Sequence, residues 1–193
     1  MKKSVKSYVL WFVIIAFSSY VFSLVMRMPS TIAVQKQKRF TLLNPSSTGI
    51  DFNNKIKDTK EQNILLYANF YGGAGVGVGD FNNDGLQDLY FAGNMVPDKL
   101  YLNQGNLTFK DVTESSGIID DGGWSTGVTI ADINNDGFSD IYVSRELYDN
   151  KPEWRTNLLY INKGDGTFTE SAKIFGVNDS QRTRHATFLD YDK

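Results

Sequence analysis

One nine-residue turn, repeated, constrains this chain more than anything else in it. Asp80-Phe-Asn-Asn-Asp-Gly-Leu-Gln-Asp88 recurs as Asp132-Ile-Asn-Asn-Asp-Gly-Phe-Ser-Asp140, and a third copy opens as Asp190-Tyr-Asp192-Lys193. The likeness extends upstream, where Gly75-Val-Gly-Val-Gly79 aligns with Gly127-Val-Thr-Ile-Ala131 and with His185-Ala-Thr-Phe-Leu189. Alternation of period two predicts a strand entering each loop, with Val76 and Val78, Val128 and Ile130, and Ala186 and Phe188 facing inward. Leu89-Tyr-Phe91 and Ile141-Tyr-Val143 predict a strand leaving it, since β-branched and aromatic residues suit a pleated surface.

Two further segments match. Leu100-Tyr-Leu-Asn-Gln-Gly105 parallels Leu159-Tyr-Ile-Asn-Lys-Gly164, and each continues into a Gly-bearing turn and a second short strand, which reads as a hairpin. Each unit closes on Gly117-Ile118 or Gly176-Val177. The leading aspartates lie 52 and then 58 residues apart. A seven-residue insertion that includes Asn150-Lys-Pro-Glu-Trp-Arg155, less one residue lost from the next interval, accounts for the difference, as expected when one surface loop of a repeat grows. Four short strands in a unit of about 50 residues predict a β-propeller blade. The expected architecture is all-β, a partial β-propeller preceded by an N-terminal apolar helix. Its expected parts are residues 1–28 as signal or anchor, 29–69 as linker and lead-in strands, and 70–193 as two blades and the start of a third.

The loops carry the chemistry of a hard cation. Asp80, Asn82, Asp84 and Asp88, with the carbonyl of Leu86, put oxygens at alternate positions around Gly85. Asp132, Asn134, Asp136 and Asp140, with the carbonyl of Phe138, do the same around Gly137, and Asp190 and Asp192 begin a third set. Ca2+ accepts six to eight oxygens in irregular geometry, whereas Mg2+ demands a stricter octahedron. Asp, Asn and Gly also make ordinary turns without any metal. The recurrence of acids at the first, fifth and ninth positions favours the cation, in a structural role. An EF-hand would need a following helix and a Glu at the twelfth position, where this chain has Phe91 and Val143.

These residues resemble the FG-GAP/VCBS-type repeats, which are related to the calcium-bearing blades of integrin alpha subunits. The resemblance covers roughly residues 70–193. Thr48-Gly-Ile-Asp-Phe52 and Tyr71-Gly-Gly73 are similar to the lead-in of bacterial envelope proteins that continue into further repeats and an ASPIC/UnbV-type segment. The resemblance implies an N-terminal fragment of a longer protein. So does the break inside the third loop, and residues 70–193 alone are expected to be marginally stable.

At the start, Met1-Lys-Lys-Ser-Val-Lys6 precedes 19 uncharged residues, 8–26, close to the ~20 that span a bilayer. A cleaved export signal and an uncleaved anchor both fit, and both place the body outside the cytoplasm. The four basic residues of this leader mask the charge of the rest: of 20 basic residues 16 remain against 22 acids, near −6. An acidic body gives no electrostatic footprint for nucleic acid. No cysteine and a single histidine, His185, exclude disulfides, thiolate zinc sites and a cysteine nucleophile.

Other candidates are weaker. Arg145-Glu146 reads as part of a charged, solvated loop, and His185 as a loop histidine that with Arg182 and Arg184 could face an anion. Residues 50–70 predict one or two strands. Trp124 reads as packing, whereas Trp154 in the insertion, with Tyr148, reads as a platform for stacking sugars. No catalytic motif appears, so the expectation is a non-enzymatic, exported calcium-binding module that engages protein or glycan at the cell envelope. The alternative is the non-catalytic propeller part of a larger extracytoplasmic enzyme.

Overall fold

The computed structural model describes residues 5–27, 40–119, 121–148 and 150–191, with the side chains of the first helix described over residues 11–23. The chain divides into two compact units, Met1–Leu42 and Leu43–Lys193. In the first, α1 (Val5–Arg27) runs through a stretch free of Gly and Pro. Its described apolar side chains, among them Trp11, Phe12 and Phe17, are exposed. Among the described residues no helix is long and apolar enough to cross a membrane.

The second unit opens with α2 (Pro45–Thr48), where a turn was expected. Pro45 suits a first helical position, the Asn44 side chain caps the Ser46 N–H, and Gly49 closes the turn at φ +77°. Residues 50–70 form no strand, contrary to expectation. Asn63 Oδ1 accepts the N–H groups of Leu65 and Leu66, which locks a turn where apolar residues suggested extension. The segment does pack on the repeats: Phe52 stacks on Phe91 at 5.0 Å, and buried Phe70 meets Trp124 at 5.4 Å.

Two four-stranded antiparallel sheets follow, each a simple up-and-down meander. The first holds β1 (Val76–Gly79), β2 (Asp88–Phe91), β3 (Lys99–Asn103) and β4 (Phe109–Asp111). The second holds β5 (Trp124–Ala131), β6 (Asp140–Glu146), β7 (Leu158–Asn162) and β8 (Phe168–Glu170). Equivalent pairs hold the register: Val78 faces Leu89 as Ile130 faces Ile141, and Tyr90 faces Leu100 as Tyr142 faces Leu159. After each sheet comes one helical turn, α3 (Thr113–Ser116) or α4 (Ala172–Phe175), ended by left-handed Gly117 or Gly176. A single turn is too short to leave a period of 3.6 in the sequence.

The blades meet through β1 and β5, over a core of Phe81, Tyr90, Leu100, Ile141, Val143, Leu158, Tyr160 and Phe168. The inward set of β1 is corrected. Val76 and Val78 are each 52% exposed, and Gly77 and Gly79 are buried. Val128 and Ile130 take the space above Gly77: a Cβ there would lie 2.7 Å from both side chains. The strand expected to enter the third loop does not form, since residues 185–190 carry no regular structure, but Ala186 and Phe188 do face inward and pack with Tyr142 and Leu159 of the second blade. Arg145 and Glu146 are also corrected: they end β6 only 2% and 5% exposed, not on a solvated loop. Arg145 donates to Asp121 at 2.7 Å, and Glu146 lies 3.7 Å from Arg184.

Candidate metal loops

Each acidic loop joins the first two strands of its blade, and the two are held by the same bonds. In the first, Asp80 accepts the N–H of Asp84 (3.1 Å) and of Gly85 (2.8 Å). Asn82 Oδ1 also accepts from Asp84 N–H, and Asp84 accepts from Leu86 N–H. In the second, Asp132 accepts from Asp136 (3.0 Å) and Gly137 (2.8 Å), Asn134 from Asp136, and Asp136 from Phe138. Short side-chain acceptors on successive backbone donors fold the turn back on itself. Two left-handed residues complete it: Gly85 and Gly137, and also Asn83 (φ +54°) and Asn135 (φ +59°). Asn is among the few side chains that tolerate this region, a role that sequence reasoning assigned to glycine alone.

The ninth position differs from the rest. Asp88 and Asp140 are wholly buried, and both oxygens of each accept backbone N–H groups. Asp88 takes Phe81 (2.8 Å) and Asn103 (2.7 Å); Asp140 takes Ile133 and Asn162, both at 2.8 Å. Each thus ties its loop to the third strand of the blade. Burial pushes both carboxyls above the ordinary carboxylate range, and the charges of Asp80 and Asp84, or of Asp132 and Asp136, push the same way against the N–H donors. Asn103 and Asn162, missed as functional positions, also close the following hairpins by accepting from Gly105 and Gly164. Their shared place in Leu-Tyr-Leu-Asn and Leu-Tyr-Ile-Asn was the signal that could have found them.

Among the described residues no three acidic, histidine or cysteine side chains converge as a ready-made metal cluster. The donor chemistry nevertheless fits a hard cation. Three carboxylates and an amide oxygen belong to one nine-residue turn, and a carboxylate offers about four lone-pair sites, so Asp80 or Asp132 can accept N–H groups and keep capacity for an ion. Phe138 and Leu86 sit at the seventh positions, where a carbonyl would join. Asp190 is exposed in a segment without regular structure, and Asp192 lies outside the described residues. The strand that begins at Asp88 or Asp140 stands where an EF-hand would have its helix.

Residues 80–143 match the FG-GAP-like repeat family, from the first loop through most of β6. The chain is similar to cartilage acidic protein 1 of Homo sapiens, 31% identical over 157 residues that cover 73% of this chain and 22% of that protein. It is 36% identical to the Xenopus tropicalis protein of that name over 72 residues, and 39% identical to the Mus musculus one over 69, in each case 11% of the relative. The chain therefore spans less than a quarter of the relatives it matches. Two meander blades built on one recurring loop, with the family match laid across both, make the chain an FG-GAP repeat protein.

Proposed function

We propose that this chain is an extracytoplasmic binding module in which Ca2+ serves the blades structurally and no reaction is catalysed. The observation that carries this reading is the equivalence of the two loops. The same carboxylates sit at the same strand-to-strand turn in both blades and make the same bonds to backbone N–H groups. A catalytic site would be expected to break that symmetry. A bound ion would neutralise the charge crowded around Asp80 and Asp84 and around Asp132 and Asp136. Export is supported by the basic start and the apolar α1, and the word cartilage in the name of its relatives accords with an extracellular place.

Titration of the full chain with Ca2+ by calorimetry and thermal melting tests the ion. Saturable binding and a rise in melting temperature that chelator reverses and Mg2+ does not reproduce are expected. The absence of both would end the calcium reading. One observation favours the second reading, a propeller segment of a larger extracytoplasmic enzyme: the matched relatives extend far beyond the region shared with this chain. Turnover by a longer form of the protein would establish it.

A further inference from the structure

Away from the acidic turns, the insertion in the second blade builds a cleft of opposite character. Directly after β6, Leu147 and Tyr148 both take left-handed backbone, at φ +67° and +50°. Bulky side chains rarely adopt it, and such strain persists where packing enforces it. Here Leu147 is buried with Phe70 and Trp124, and half-buried Tyr148 packs against the same cluster, which holds the turn. Tyr148 meets Trp154 edge-on at 5.1 Å and 86°. Trp154 lies on a 3-10 turn, Pro152–Arg155, and the Lys151 ammonium sits 3.6 Å from its ring centroid.

Two hollows, of about 610 and 500 Å3, share Gln62, Tyr148 and Trp154. Each falls within the range of ligand pockets, and the two adjoin at the shared residues. Lys55 and Lys57 line the larger hollow and Lys151 the smaller, while Glu61 is the one acid among the described lining residues of either. A basic cleft on a body near −6 focuses anions locally. Every lining residue comes from a loop or from the 3-10 turn, and none from a strand. An extended peptide would therefore find no strand edge to pair with. A sugar needs no such ladder: its C–H face can lie against one ring of the aromatic pair, its hydroxyls can reach Gln62 and Thr59, and a carboxylate can reach the lysines.

We infer that the Tyr148–Trp154 cleft is a binding site for an acidic, uronate-bearing oligosaccharide. This rests on the binding-module reading and names its ligand class and place.

The test uses the full chain, in detergent for α1, with calcium present. Three probes are titrated by calorimetry: a galacturonate oligomer, a neutral galactose oligomer of equal length, and a poly-glutamate peptide. The uronate oligomer is expected to bind, to lose affinity with added salt, and to exceed both other probes by at least about tenfold. Trp154→Ala and the surface pair Lys55→Gln/Lys57→Gln should each weaken it by about tenfold or more with unchanged circular dichroism. Preference for poly-glutamate, equal binding of the neutral oligomer, or full affinity in both variants overturns the site or its ligand and leaves a binding module standing. Failure of all three probes overturns the inference; if a broad glycan array and cell-surface pull-down are also blank, the binding-module reading falls with it.

Discussion

Asp98 shows how much a single buried carboxylate does in this fold. It is 6% exposed and accepts three donors: Tyr90 O–H at 2.6 Å, Gly93 N–H at 2.7 Å and Ser125 O–H at 3.0 Å. Desolvation outweighs these donors and the nearby Arg145 charge, so its folded pKa is raised above 3.8. The folded state then holds the proton more tightly than the unfolded chain. Asp98 therefore subtracts stability as pH rises from the ordinary carboxylate value through the raised one. Asp98→Asn misplaces one donor group and should cost about 1–3 kcal/mol at acidic pH. That gap should narrow as pH rises, which urea midpoints across the series would show. None of this was legible in the sequence, where Asp98 is one of 22 acids. Arg145 and Glu146 misled for a related reason: a charged pair at a strand end reads as solvated unless its distant partners, Asp121 and Arg184, are known.

Within a blade, the loop and the sheet form one object. Asp140→Ala removes two charge-assisted bonds from buried N–H groups and should destabilise by about 2–4 kcal/mol by chemical denaturation. Asp136→Ala, in an exposed part of the same turn, should cost less in the absence of calcium. At the blade junction, Gly77→Val would press on Val128 and Ile130 and should cost about 1–3 kcal/mol. Strands, turns and their order were readable because two copies could be laid side by side. The phase of β1 was not, because alternation shows that two faces differ but not which one a neighbouring blade will cover. The lead-in misled because Ile64, Leu65 and Tyr67 match a strand in composition, while Asn63 decides the local backbone.

Across the molecule, the third copy is more than a remnant: Thr129 donates to the Ala186 carbonyl, and Phe188 meets Tyr142 edge-on at 5.3 Å. Phe188→Ala should lower stability by about 1–3 kcal/mol, below a fully buried Phe because the side chain is half-buried. Several polar links cross the junction between blades, among them Ser125 N–H to the Gly93 carbonyl, Ser125 O–H to Asp98 and Asn83 to the Gly137 carbonyl. Asn94 donates to the Ser125 carbonyl at 2.8 Å, and Asn162 to the Phe81 carbonyl, also at 2.8 Å. Asn162 has a second duty, since its N–H is the one Asp140 holds and its Nδ2 also reaches the Ser139 carbonyl. It works as one pin of the joint: together with the Asn83 bond to the Gly137 carbonyl, it couples a sideways load on the second turn to the first. Asn162→Ala should leave each sheet intact and lower the force at which the blades part under mechanical pulling, while the remaining bonds across the joint keep a single rupture.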